Sequence, residues 1–175
     1  TTALLLNGIA ISGGHGFTVN AGGHITESAG GSTAITAGSL NATSTSGAIT
    51  LSNDSNQIGA ATLSAASDAT LHDASAVQID GASVGSGHTL TLYDTGNGGI
   101  TQGSGAGNVI IASNLVATTT ASSNRGTIVL DNTSNSVGTA TFTATGNVTL
   151  DDSIALTLNG APLAGYALTL TDTNA

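Results

Sequence analysis

The sequence predicts an all-β parallel β-helix, a solenoid of about 19–20 residues per coil whose coils group into two larger units of about 75–79 residues. Three observations predict it. A short phrase, apolar-Thr-Leu closed by Asn or Asp, returns so that its third residues are separated by 20, 21, 19, 19, 20 and 20 positions. A fixed period near twenty with strand-like content marks a solenoid. Gly (25 residues) and β-branched residues are abundant, whereas Lys is absent and Glu occurs once, at Glu27, which disfavours helix. A longer period also overlies the short one. Ile25 and Leu40 return as Ile100 and Leu115 at an offset of 75. Gly47, Asn53, Asn56, Gly59, Leu71, Asp73 and Gly81 return as Gly126, Asn132, Asn135, Gly138, Leu150, Asp152 and Gly160 at an offset of 79.

The expected organisation follows from these offsets. Residues 1–22 read as the tail of a preceding unit, because Leu6-Asn7-Gly8 matches Ile79-Asp80-Gly81 and His15 matches His88. Residues 23–97 are unit 1 and 98–175 unit 2, in one continuous solenoid that looks cut from a longer tandem array.

Along the chain the phrase reads Ile49-Thr50-Leu51, Ala69-Thr70-Leu71, Leu90-Thr91-Leu92, Val109-Ile110-Ile111, Ile128-Val129-Leu130, Val148-Thr149-Leu150 and Leu168-Thr169-Leu170. Side chains alternate across a strand, so the first and third residues face a core and the middle one, usually Thr, faces water. A second strand lies between phrases: Ala61-Thr62-Leu63, Val77-Gln78-Ile79, Leu115-Val116-Ala117, Ala140-Thr141-Phe142 and Leu156-Thr157-Leu158. Corners rich in Gly, Asn and Ser join them. At ~4.8 Å per coil, about nine coils make a rod roughly 40 Å long. An antiparallel β-sandwich also has short, evenly spaced strands, but does not require a polar residue at one phase of a twenty-residue period. Phased apolar residues, 39 % of the chain, argue against disorder.

Two positions beyond each third residue stand Asn53, Asp73, Asp94, Ser113, Asn132, Asp152 and Asp172. These residue types fold their side chains onto turn backbone, so the expectation is a structural turn column. A cation between Asp73 and Asp94, or Asp152 and Asp172, is the sharper alternative. The Ca²⁺-binding nonapeptide of other solenoids is absent, since Thr18 stands where Gly13-Gly14-His15-Gly16-Phe17 would need Asp. No metal is therefore expected.

Composition narrows the partners. Ten acids, one strong base (Arg125) and a formal charge of -9 leave nothing to grip phosphates or anionic lipid. Neither nucleic acid nor membrane insertion is expected: no apolar run approaches the ~18 residues of a span. No signal peptide is visible, because Leu4-Leu5-Leu6 is short and has no basic flank. The absence of Cys rules out disulfides and suits a chain exported unfolded.

The run Ile49–Gly59, Ile-Thr-Leu-x-Asn-x-x-Asn-x-x-Gly, returns at Ile128–Gly138 as Ile-Val-Leu-Asp-Asn-x-x-Asn-x-x-Gly. Together with Val148–Asp152 and the Leu-Thr-Leu-Asn-Gly run at 156–160, it resembles the repeats of filamentous-haemagglutinin-type bacterial adhesins. The resemblance covers almost the whole chain through degenerate motifs. It implies a right-handed β-helical shaft of a large exported, cell-surface protein, usually secreted through a partner outer-membrane pore. It carries no functional residue onto this chain.

The chemistry-bearing residues point the same way. His15, His24, His72 and His88 have no metal-ligand spacing. His72 adjoins Asp73, but no nucleophile and oxyanion site accompany it. The Gly-rich runs at 13–16 and 103–107 lack the strand-to-helix setting of a phosphate loop. Arg125 reads as a structural corner charge. No catalytic residue or cofactor is expected. The expected function is a structural, non-enzymatic shaft of an exported fibre or adhesin that associates with itself, head to tail or laterally, and meets a host or neighbouring cell surface through regions outside this segment. A β-helical carbohydrate-active enzyme fragment is the alternative. An ice-binding face is third: of the outward pairs Thr50/Ser52, Thr70/His72, Thr91/Tyr93, Ile110/Ala112, Val129/Asp131, Thr149/Asp151 and Thr169/Thr171, only the last is Thr-x-Thr.

Overall fold

Alternating apolar residues and glycine corners wind this chain into a β-solenoid of about eight turns. The computed structural model describes residues 2–121, 126–163 and 165–173. Arg125 lies outside them. Every pairing between the described strands is parallel, which excludes the antiparallel sandwich. The only helical element among the described residues is a 3-10 turn at Gly31–Thr33.

Two long ladders carry the rod. The first runs from Leu4–Leu6 through Ile25–Glu27, Ile49–Leu51, Ala69–Asp73 and Thr89–Asp94. It continues through the second half of Ile110–Thr119, the second half of Ser136–Thr143 and Thr157–Gly160. The second ladder runs from Gly16–Ala21 through Ile35–Ser44, Gln57–Ala65 and Val77–Val84. It then takes in Ile100–Gln102, Ile128–Leu130, Val148–Asp152 and Leu168–Asp172.

The coil is longer and less regular than the phrase spacing predicts. Along the first ladder Leu90 pairs with Leu115, 25 residues on, and Ala140 with Leu158, 18 on. Seven steps from Leu4 to Leu158 average 22 residues, so the described chain makes about eight turns and not nine. The excess sits in corners of variable length, which backbone pairing tolerates.

The seven phrases are also not one stack. Leu51, Leu71 and Leu92 share the first ladder, but Leu92 pairs with Ala117, not Ile111. Leu130 and Leu150 lie in the second ladder, below Ile100–Gln102. Each large unit therefore holds about three and a half turns, and equivalent residues of the two units fall on different ladders. The chain changes over at Val77–Val84. Its first half pairs with Ile100–Gln102, and Ala82 and Ser83 pair with Ile110 and Ile111. Gly81, at φ 126, makes the bend there, a conformation that only glycine adopts without strain.

The interior is narrow, apolar and continuous. Leu71, Leu92, Leu130 and Leu150 are buried, and Thr70, Thr91 and Thr149 are half-exposed on the outer surface. Phe142 is the largest fully buried side chain and lies in register with small Ala117. At the corners coils touch backbone to backbone: a Cβ on Gly38 would lie 2.1 Å from the carbonyl oxygen of Gly14.

Candidate functional site

The polar column is where the sequence concentrates its acids, and the strand ends position it. Asn53 Oδ1 accepts the amide of Ser55 (3.0 Å), Asp73 Oδ1 that of Ser75 (2.7 Å) and Asp94 Oδ1 that of Gly96 (2.7 Å). Asn132 Oδ1 accepts the amide of Ser134 (3.0 Å), and Asp152 Oδ2 that of Ile154 (3.3 Å). These five close the same turn, side chain of residue i to amide of residue i+2. Ser113 stands apart. It lies inside the strand Ile110–Thr119, just before the part that pairs in the first ladder, and its Oγ accepts the amide of Gly87 across the coils. Asp73 is in register with Asp94, and Asp152 with Asp172, but Asp94 continues to Thr119. The seven residues thus form two short stacks, one per ladder, with Ser113 in neither.

A second set of polar residues completes an internal spine that the turn column alone does not predict. Asn56 and Asn135 are fully buried. Asn56 Oδ1 accepts the amide of Ile35 (2.7 Å) and Asn135 Oδ1 that of Ile110 (2.9 Å). Asp73 Oδ2 accepts the amide of Ile58 and Asp152 Oδ1 that of Val137. These amides open the long strands where the chain turns a corner and no ladder partner serves them. The repeated Asn-x-x-Asn spacing was the available signal for Asn56 and Asn135. Nothing in the sequence showed that Glu27 and Gln102 join them.

Burial governs the electrostatics. It raises the Asp73 carboxyl to about 6 against its amide partners, with Asp94 adding to the rise. Glu27, Asp94 and Asp152 are raised for the same first cause. Asp73, Asp94 and Asp152 spend their oxygens on backbone amides and are fully buried. They can hold corners in register but cannot reach a ligand in solution.

On the outer surface, His72 Nδ1 meets Asp54 Oδ1 at 2.6 Å, and the His72 ring lies 4.8 Å from Tyr93 at 43°. His88 Nδ1 meets Asp68 Oδ1 at 3.2 Å, and Asp68 also accepts the amide of Thr89. His24 Nδ1 accepts the amide of Ala48. Among the described residues no group of three or more His, Cys, Asp or Glu side chains is placed to hold a metal ion. Recesses are shallow. One of about 370 Å³ lies at the Gly103 and Asn132 corners, and one of about 310 Å³ is lined by Ile111, Gly138 and Ile154. No described helix is long and apolar enough to cross a membrane.

The outward rows differ from those the phrase alignment predicts. The central row of the first ladder is Thr26, Thr50, Thr70, Thr91, Val116 and Thr141. His72, Tyr93, Thr118 and Thr143 form the adjoining row, so aromatic rings interrupt any flat hydroxyl lattice.

No protein-family model, curated protein or solved structure matches this chain.

Proposed function

We propose that this chain is a load-bearing shaft segment of an exported surface fibre or adhesin, a spacer whose work is mechanical. The two long parallel ladders, closed at the corners by buried Asn and Asp side chains, are the observation that supports this reading most. The bonds between coils run along the axis, so a pull on the rod separates one coil from the next, and five of the corners are pinned by their own Asn or Asp side chain. The adhesin-like repeats Ile49–Gly59 and Ile128–Gly138 supply the comparison with exported proteins, and an extracellular setting follows from that resemblance. Export also suits a chain with no Cys.

Association with further copies belongs to the same proposal. Leu4, Leu5, Leu158 and Leu170 are large apolar residues exposed on the outermost strands. Exposed apolar side chains of this kind are places where copies can pack together, and a heterologous contact between copies grows filaments.

Single-molecule stretching tests the mechanical role. The expected record is stepwise yielding at high force, in increments of one or a few coils. Yielding of the whole chain in one low-force event would refute the shaft. Turnover of any polymer in a polysaccharide panel would replace it with the enzyme reading. Light scattering over a concentration series tests association, and a strictly monomeric species at high concentration would remove that part.

A further inference from the structure

We infer that Tyr93, His72 and Asp54 form a surface subsite for a neutral saccharide. The inference goes beyond the shaft reading and does not rest on it.

The repeat itself supplies the control. Tyr93 and Thr171 hold equivalent places: Thr95 and Thr173, two residues on, each donate amide and hydroxyl to the carbonyl of Asp73 or Asp152. His72 and Asp151 are likewise equivalent, as the partners in register with Tyr93 and Thr171. Asp54 corresponds to Thr133. Backbone and corner bonds therefore persist without the cluster, so the fold does not require an aromatic ring, an imidazole or a carboxylate at these places. They stand together only in unit 1, on the outer face.

Their arrangement selects the ligand class. The two rings, 4.8 Å apart and tilted by 43°, pack against each other as one half-exposed apolar patch on the outer surface. Aromatic bodies of this kind take the C–H face of a pyranose while their polar edges stay wet. Asp54, its side chain 64 % exposed, has a second oxygen free to accept sugar hydroxyls while the first holds His72. Few but well-placed polar groups beside an apolar surface are what orient a small ligand. No Lys or Arg occurs among the described residues, so an acidic sugar would face Asp54 without a counter-charge. A cationic ligand would compete with His72 for Asp54.

Tyrosine emission reads the site directly, because the chain has no Trp and its only other tyrosine is Tyr166. In the Tyr166→Phe chain Tyr93 is the sole emitter. Neutral oligosaccharides, titrated in solution and printed on an array beside sialylated ones, should shift its emission and retain the protein. Tyr93→Thr and His72→Asp install the residues of unit 2. Each should weaken retention at least tenfold while circular dichroism stays unchanged. Tyr93→Phe, which keeps the ring, should bind within about threefold of the parent. Three outcomes would overturn the subsite: no neutral glycan retained, retention of sialylated glycans only, or equal retention by Tyr93→Thr and the parent. None of them would bear on the stretching experiment.

Discussion

Glu27 and Gln102 hold the same two groups in successive units with different chemistry. Glu27 Oε2 accepts the amide of Asn53 (3.2 Å) and Asn56 Nδ2 (3.0 Å). Gln102 Oε1 accepts the amide of Asn132 (3.1 Å) and Asn135 Nδ2 (3.0 Å). Gln102 also donates Nε2 to Asn135 Oδ1 (2.7 Å) and to the carbonyl of Asn108 (2.6 Å). Glu27 Oε1 is buried and meets no donor in good hydrogen-bond geometry among the described residues, with the Ile35 amide beside the carboxylate.

Glu27→Gln should therefore stabilise the protein. It replaces a poorly satisfied buried acceptor, a defect that costs up to about 1–3 kcal/mol, and it offers a donor to Asn56. Thermal melts at pH 7 should show a higher midpoint than the parent. A lower midpoint would mean that the Glu27 carboxylate is satisfied in a way the Gln102 site does not mirror.

Acid should strengthen the fold. Burial lifts Asp73 from 3.8 to about 6 and raises Glu27, Asp94 and Asp152. With folded values above unfolded ones, the native state binds more protons inside that window, so stability falls as pH rises through it. The contribution of Asp73 is complete below its unfolded value and lost above about 6. Melting temperature should accordingly rise from pH 7 to pH 4. A steady fall over that range would show that these carboxylates fold ionised.

Strand phase is tested by two matched substitutions in the second ladder. Leu130 is fully buried and Thr149 is half-exposed. Leu130→Asp buries a charge without a partner and should cost several kcal/mol. Thr149→Asp should cost under about 1 kcal/mol. Equal losses on denaturant titration would place both side chains in one environment.

Gly38→Ala probes the approach of coils at a corner. The added methyl carbon would meet backbone at 2.1 Å, the carbonyl oxygen of Gly14, and cannot be relieved by rotating a side chain. Overpacking of this kind costs about 1–3 kcal/mol. Hydrogen exchange should quicken at Gly16–Ala21 and the start of Ile35–Ser44 and leave the second unit unchanged. Exchange unchanged everywhere would mean that the corner has slack.

Architecture was legible because it depends on local alternation repeated many times. Leu71 inside and Thr70 outside follow from one strand's pleat and need no knowledge of its neighbours. Pairing partners were less legible. Val109-Ile110-Ile111 satisfies the spacing, but the chain reaches the ladder below Leu92 only at Leu115–Ala117, later in the same strand. A one-dimensional period cannot report how much chain a corner consumes. The turn residues Asn53, Asp73 and Asp94 could be read from residue type, since their bonds are to amides two positions on. Asn56, Glu27 and Gln102 serve amides more than twenty residues away, and no local pattern records that. Tyr93 beside His72 follows from the phrase spacing itself, which sets the two at one outward phase of successive coils.

Three and a half turns per unit behaves as a molecular half-twist. In an array of such units, a side chain introduced at one position would emerge on alternating flanks, recurring on the same flank after seven coils, roughly 34 Å at ~4.8 Å per coil. Gene duplication would thus build a two-sided ornament from a one-sided change, spacing copies far enough apart to be occupied independently and letting opposite flanks diverge unit by unit.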